Sequence, residues 1–270
     1  MQLQGKRIVV VGGAFGCGAA AVRAFAAEGA TVASLDIRDA EGESVVAAAN
    51  GKGAGKASYF HCDASVRASV KGAFASAAGT LGGFDALVVT VGVFKQLPPE
   101  SIDDEEWDRV MNVNLRSVFL TNQEVLPYLV ENGGGRIINF GSGAGLRQYP
   151  DAVHYAASKG GVIAWTRSIA YAWGKHNITA NVVNPAVART LQFSEAAERA
   201  GAGQEDVAAR LKSIFPLGSR RFPPTDEDLP LGFGDPDSDL APVLVFLVGD
   251  GARFITAQII PVDGGLTPAR

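Results

Sequence analysis

Arg7-Ile8-Val9-Val10-Val11-Gly12-Gly13-Ala14-Phe15-Gly16-Cys17-Gly18 runs from a continuously apolar segment into a glycine turn, and an alanine-rich helical stretch, Gly18–Glu28, follows at once. A strand covered on both faces shows no polar alternation, and Ile8 to Val11 has none. The same rhythm repeats outward from this unit. Thr31–Leu35, Ala57–Cys62, Asp85–Thr90, Arg136–Phe140, Ile178–Val183 and Ile259–Val262 read as further strands. Helical patterns lie between them at Ala40–Asn50, Val66–Ala78, Leu115–Leu129, Val153–Trp173 and Asp239–Val248. The alternation predicts an α/β fold: a doubly wound parallel sheet of seven or eight strands with helices on both faces.

Bulk properties narrow what such a fold could do. With 47% hydrophobic and 19% charged residues over 270 positions, the chain supports one large core and is not disordered. A net charge of -4 without blocks of Lys or Arg argues against nucleic acid as a partner. No apolar run has the length of a membrane span, so no membrane association is expected and a cytoplasmic location is. Two cysteines make no disulfide framework and three scattered histidines no metal site, so no metal is expected. Residues 1–270 are read as a single dinucleotide-binding and catalytic domain. One stretch departs from the rhythm: Thr190–Leu217 reads as two short amphipathic helices forming a substrate-loop region. A Pro-rich acidic excursion follows over residues 218–240, with six acidic and no basic residues between Thr225 and Asp239.

The glycine turn opens a helix, where free backbone N–H groups and a partial positive charge favour a pyrophosphate, and glycine lets the backbone approach it closely. Gly12, Phe15, Gly16, Cys17 and Gly18 are therefore candidate cofactor contacts. The second strand ends at Asp36, eighteen residues beyond Gly18, near the distance at which an acid meets the adenosine ribose. A carboxylate accepts from two ribose hydroxyls and repels a 2′-phosphate, so Asp36 with Ile37 beside it points to NAD, with Arg38 the residue that would speak for NADP.

The helix at Val153 carries Tyr155-Ala156-Ala157-Ser158-Lys159, and residues four apart share a helical face. A phenol beside an ammonium is expected to ionise more easily than a free one, which would make Tyr155 a usable base. An isolated Tyr-x-x-x-Lys is commonly a surface pair. Here a strand ending in Asn139-Phe140-Gly141-Ser142 delivers a serine to a Gly-Ala-Gly loop thirteen residues earlier.

Taken together, Gly12-x-x-x-Gly16-x-Gly18, Asp63 after the third strand, Asn114 in Val-Asn-Leu, Ser142, Tyr155-x-x-x-Lys159, Asn184-Pro185 and Val262-Asp263-Gly264-Gly265 resemble the classical short-chain dehydrogenase/reductase family over nearly the whole chain. The resemblance implies a Rossmann-like sheet, a nicotinamide cofactor and a homotetramer built partly on Leu115–Leu129 and Val153–Trp173. It implies that Tyr155 exchanges a proton with the substrate oxygen, that Ser142 orients that oxygen, and that Lys159 holds the nicotinamide ribose. It implies that Asn114 holds a water linking Lys159 to solvent. Asp63 and Ala64 would lie against the adenine, and Thr90, Gly92, Pro185, Val187 and Thr190 would line the cofactor. The chain departs from the family at Val11, where Thr is usual, at Val89-Thr90-Val91-Gly92 for Asn-Asn-Ala-Gly, and at Ala186 after Pro185. Packing is expected to replace the family's polar contact between these segments, with Thr90 supplying what polarity remains.

Phe94, Ala144, Leu146, Tyr149, Val187, Leu191 and Phe193 are expected around the substrate. This mostly apolar set suits a cyclic, terpenoid, steroidal or aryl secondary alcohol, oxidised with NAD. A 3-oxoacyl thioester reductase and a non-catalytic dinucleotide sensor are the alternatives. His154, about 100° round the helix from Tyr155, is expected to face a neighbouring segment or subunit, and Phe119, Trp165 and Trp173 to pack in the core or an interface.

Overall fold

The computed structural model describes residues 1–51, 54–186 and 234–266. Among them lie seven strands in one parallel sheet, β1 (Arg7–Val11), β2 (Thr31–Asp36), β3 (Lys56–His61), β4 (Ala86–Val89), β5 (Gly135–Phe140), β6 (Ile178–Pro185) and β7 (Ile259–Val262). Their order is β3-β2-β1-β4-β5-β6-β7, and all six pairings are parallel. The order reverses between β1 and β4, and a cleft opens at the carboxyl ends of the strands where such a reversal occurs.

The helices are α1 (Gly16–Ala27), α2 (Asp39–Asn50), α3 (Arg67–Leu81), α4 (Asp104–Met111), α5 (Ser117–Glu131), α6 (Val153–Trp173) and α7 (Ala241–Val248). Side chains alternate across a strand, so β1 feeds two cores. Ile8 and Val10 pack with Val22, Phe25 and Leu244 beneath α1 and α7. Val9 and Val11 pack with Phe74, Val125 and Val162 beneath α3, α5 and α6. Both faces are thus covered, as the unbroken apolar strands require.

One helix has no counterpart in the sequence reading. In α4 only Glu106 and Val110 are buried, too sparse an apolar stripe to show a helical period. Capping makes it a helix: the Asp103 carboxylate accepts from Glu106 N at 2.8 Å, and Asp104, Glu105 and Glu106 lie at the positive end of the helix dipole. A π-helical turn, Asn112–Arg116, joins α4 to α5, so α5 begins at Ser117 instead of Leu115. β4 is also shorter than Asp85–Thr90, because Thr90 turns its side chain to the glycine loop.

The expected helices over Thr190–Leu217 lie outside the described residues, as do residues 218–233. Of the acidic stretch, Asp235, Asp237 and Asp239 are described; Asp237 and Asp239 are exposed, yet Asp235 and Asp237 each have fixed partners. Asp235 caps the turn Pro236–Leu240 by accepting from Asp237 N and Ser238 N, each at 2.9 Å. Asp237 chelates Arg23 of α1 at 2.9 and 2.8 Å. Two backbone bonds join described residues here: Ala186 N donates to Val262 O at 3.0 Å, and Gly234 N to Ala186 O at 3.1 Å.

Behind the site, β5, α5 and α6 meet through a buried polar knot. Asn139 Nδ2 donates to Asn122 Oδ1 at 2.8 Å and to Thr166 Oγ1 at 3.0 Å, while Asn122 Nδ2 returns a bond to Asn139 Oδ1 at 3.0 Å. Trp165 Nε1 also donates to Asn122 Oδ1, at 3.0 Å. Phe119, Trp165 and Trp173 continue outward as edge-to-face pairs. Removing one member strands buried partners, at about 1–3 kcal/mol for each unsatisfied group. Asn139→Ala is therefore expected to lower the urea midpoint with the m-value unchanged, whereas Asn139→Ala at the parental midpoint would show that the knot contributes nothing.

Candidate active site

The glycine turn is shaped by contacts that exclude side chains. Gly12 has φ 90° and a Cβ there would lie 2.6 Å from Thr90 Oγ1, while a Cβ on Gly18 would lie 1.9 Å from Gly12 O. The Thr90 hydroxyl sits 3.1 Å from Val11 O and 3.0 Å from Gly12 O, so it ties the loop as the sequence suggested for a chain with Val11 and Val89. Phe15 precedes α1 in extended conformation, with no side-chain cap and no acid in the first turn. The helix therefore presents bare N–H groups to the cleft, which is the donor set a pyrophosphate needs.

Asp36 closes the far side of this cradle. Its carboxylate accepts from Ala14 N at 3.0 Å and Arg38 N at 3.1 Å. Arg38 itself is drawn to Glu41 at 3.3 Å. Beyond Asp36, the exposed Ile37 and the buried Ala64 flank the edge of the cleft. Asp63 accepts from Ser65 N at 2.9 Å and from Ser65 Oγ at 2.6 Å, which fixes the turn after β3. Gly92 and Pro185 lie at the ends of β4 and β6, on the same rim.

Ser142 follows β5 and caps the short turn Gly143–Gly145, its Oγ accepting from Ala144 N at 3.1 Å. That leaves the hydroxyl proton free to point outward, and Ser142 lies near enough to Tyr155 to favour the ionised form of its phenol. Gly145 permits the turn to rest on α6, since a Cβ there would lie 2.8 Å from Gly160 N. Lys159 is 4% exposed, its Nζ donates to Phe140 O at 2.9 Å, and it stands 5.9 Å from the centre of the Tyr155 ring. Ser142, Tyr155 and Lys159 are thus brought together at the carboxyl end of the sheet.

The electrostatics differ from the sequence expectation. Burial pushes the Tyr155 phenol up to about 12, against the opposing influence of the Ser142 hydroxyl, although part of the residue still meets solvent. Burial also lowers Lys159 to about 8. Proximity to an ammonium does not dominate, because enclosure disfavours both charged forms and Lys159 spends its donor on Phe140. Cys17 lies close enough to both for charge to couple them, and its thiol is itself pushed up to about 12 by burial.

The Asn114 amide accepts from Val93 N at 2.7 Å and donates to Val93 O and Ser158 Oγ, each at 3.0 Å. Ser158 in turn donates to Tyr155 O at 2.7 Å. The side chain therefore braces the loop after β4 against α6. Phe94 on that loop packs edge-on against Tyr155, with ring centres 4.9 Å apart, and against Tyr149 at 6.1 Å. Ala144 is buried and Leu146 exposed beside them. Val187, Thr190, Leu191 and Phe193 lie outside the described residues.

A family model described as short chain dehydrogenase matches residues 6–200. D-threitol dehydrogenase of Mycolicibacterium smegmatis is 34% identical over 98% of this chain and 94% of its own. The 3-oxoacyl-[acyl-carrier-protein] reductase of Thermotoga maritima is also 34% identical, over 98% and 99%. Levodione reductase superposes with a TM-score of 0.89 at 27% identity, over 99% of this chain and all of its own. The chain belongs to the short-chain dehydrogenase/reductase family. It is an oxidoreductase of alcohol- or ketone-type substrates, a class that works with a nicotinamide cofactor, and the bare helix terminus and glycine cradle fit such a group.

The Lys159 shift makes a stability prediction. The folded chain releases this proton near pH 8 and the unfolded chain near 10.5, so the unfolded state holds more protons between them and stability rises across that window. The full effect is about 3 kcal/mol. Tyr155 acts oppositely above pH 10, where the folded chain keeps its proton. Lys159→Met is expected to be more stable than the parent at pH 7, with the gap closing by pH 10. Denaturant midpoints at pH 7, 8.5 and 10 measure it, and parallel pH trends for both proteins would refute the burial penalty.

Proposed function

We propose that the protein is an NAD-dependent dehydrogenase that interconverts a hydrophobic secondary alcohol and its ketone, with oxidation as the working direction. The observation that carries this reading is the gathering of Ser142, Tyr155 and the enclosed Lys159, its Nζ 5.9 Å from the Tyr155 ring centre and 2.9 Å from Phe140 O, at the carboxyl end of the sheet. Gly12, Gly18 and Asp36 would hold NAD, which would supply the hydride acceptor beside the substrate carbon. Tyr155 Oη, once its own proton has passed to solvent, takes the proton from the substrate hydroxyl while Ser142 donates to the same oxygen, so charge does not build up on it. Lys159 would hold the cofactor ribose and favours that phenolate.

NAD is favoured over NADP by charge at the end of β2. Asp36 faces the cradle, Arg38 is occupied by Glu41, and Asp39 and Glu43 add to the negative field. A 2′-phosphate finds no free cation there among the side chains of this turn. The same charges oppose the 3-oxoacyl thioester reading with NADPH, which one relative's name favours. The intact Ser142, Tyr155 and Lys159 set opposes a non-catalytic sensor. The aromatic wall of Phe94, Tyr149 and Tyr155 supports a substrate with a flat or cyclic hydrocarbon body. We also infer a homotetramer through α5 and α6, where Tyr171 is 84% exposed; light scattering should return four times the 28.0 kDa chain mass.

Assays of NAD and NADP with a panel of cyclic, terpenoid, steroidal, aryl and polyol alcohols test the reading. The expected result is turnover of an apolar alcohol, with kcat/KM at least tenfold higher for NAD, and a preference for NADP or for polyols would correct it. Tyr155→Phe should lose about 10²–10⁴-fold in kcat while NAD still binds. An unchanged rate would remove Tyr155 from the mechanism.

A further inference from the structure

Glu106 is a carboxylate on the inward face of a helix, and nothing in the proton-transfer site uses it. Its side chain is only 10% exposed, yet Arg109 chelates it at 2.9 and 2.7 Å and holds it below the usual carboxylate range, so it stays charged. Two further groups face it from two other elements. Lys95 Nζ, on the loop after β4, lies 3.8 Å from Oε2. His154 Nε2, in the first turn of α6, lies 3.5 Å from Oε1. The His154 ring is fully buried with neither nitrogen hydrogen-bonded, and the Glu106 carboxylate stands beside it as a charged neighbour.

The neighbours of these two groups give the arrangement its meaning. Lys95 follows Phe94, and His154 precedes Tyr155. Phe94 and Tyr155 are the two rings that meet edge-on at the front of the site, 4.9 Å apart. Leu97 N also donates to Asp151 O at 2.9 Å, so the same loop is tied to the segment that leads into α6. No side chain caps the start of α6, which leaves its first turn to be held from outside. Resting on the reading of Tyr155 as the proton-transfer group, we propose that Glu106 is a positioning residue: from behind the site it holds Lys95 and His154, and thereby sets Phe94 and Tyr155 against each other.

The test reads the position of Tyr155 directly. In the full chain with ¹³C-labelled tyrosine and phenylalanine, the Tyr155 and Phe94 signals are assigned from Tyr155→Phe and Phe94→Leu. Glu106→Gln is expected to shift the Tyr155 ring carbon that bears the hydroxyl and to weaken the Phe94–Tyr155 ring contact at least twofold, leaving the Tyr59 signal in place. The exposed Glu105→Gln should change neither. Lys95→Met, at a partly exposed position, is expected to weaken the ring contact in the same sense and serves if Glu106→Gln fails to fold. Superimposable Tyr155 signals and an undiminished ring contact in the variants would overturn the inference, even with a lowered melting temperature. The test needs no turnover, so failure of the dehydrogenase reading, seen as an unchanged rate in Tyr155→Phe, is separate from it.

Discussion

Burying an ammonium costs several kcal/mol unless a partner meets it, and Lys159 has one such partner, the carbonyl of Phe140. That bond joins α6 to the end of β5 at the point where the chain leaves the sheet toward Ser142. One helical turn back, Tyr155 is carried to the serine by the same placement. Gly145 allows the close approach to α6, and the Asn122, Asn139 and Thr166 knot holds β5, α5 and α6 together farther down. An expensive charge is thereby made the pin that registers the helix on the sheet. Its lowered proton affinity follows from the same enclosure.

Much of this arrangement was legible from residue order because it is local. The glycine turn, Asp36, and the Ser142, Tyr155 and Lys159 set each lie within one strand-helix unit, and the apolar runs of the strands are continuous. Residues whose meaning depends on distant partners were not legible. Glu106 reads as one acid among four, and its partner His154 is forty-eight positions away. The same holds for the side-chain partners of Asn114, Val93 and Ser158, which the π turn at Asn112–Arg116 brings within reach. The direction of the Tyr155 shift also lay beyond sequence, since a neighbouring lysine is visible there and the loss of water around the phenol is not.

The two ends of the cleft are built on different principles. At the cofactor end the work is done by absent side chains: Gly12 and Gly18 let Thr90 and the α1 terminus close on the backbone, so Val11 costs the loop little. At the chemical end it is done by enclosed polar groups braced from behind. Substitutions at the first end act on the approach of backbones, and at the second on charge and orientation. That division accounts for a chain that departs from its family at Val11, Val89 and Ala186 while keeping the proton-transfer set whole.

Ala186 and Gly234 are joined by a backbone bond, and Ala186 is in turn joined to Val262. Ala186 and Gly234, far apart in sequence, therefore meet at one clasp beside the last two strands, and Asp237 a few residues on holds Arg23. Because backbone groups make these bonds, the clasp does not depend on which side chain stands at position 186. The family glycine can thus give way to Ala186 without loosening the join between β6 and β7.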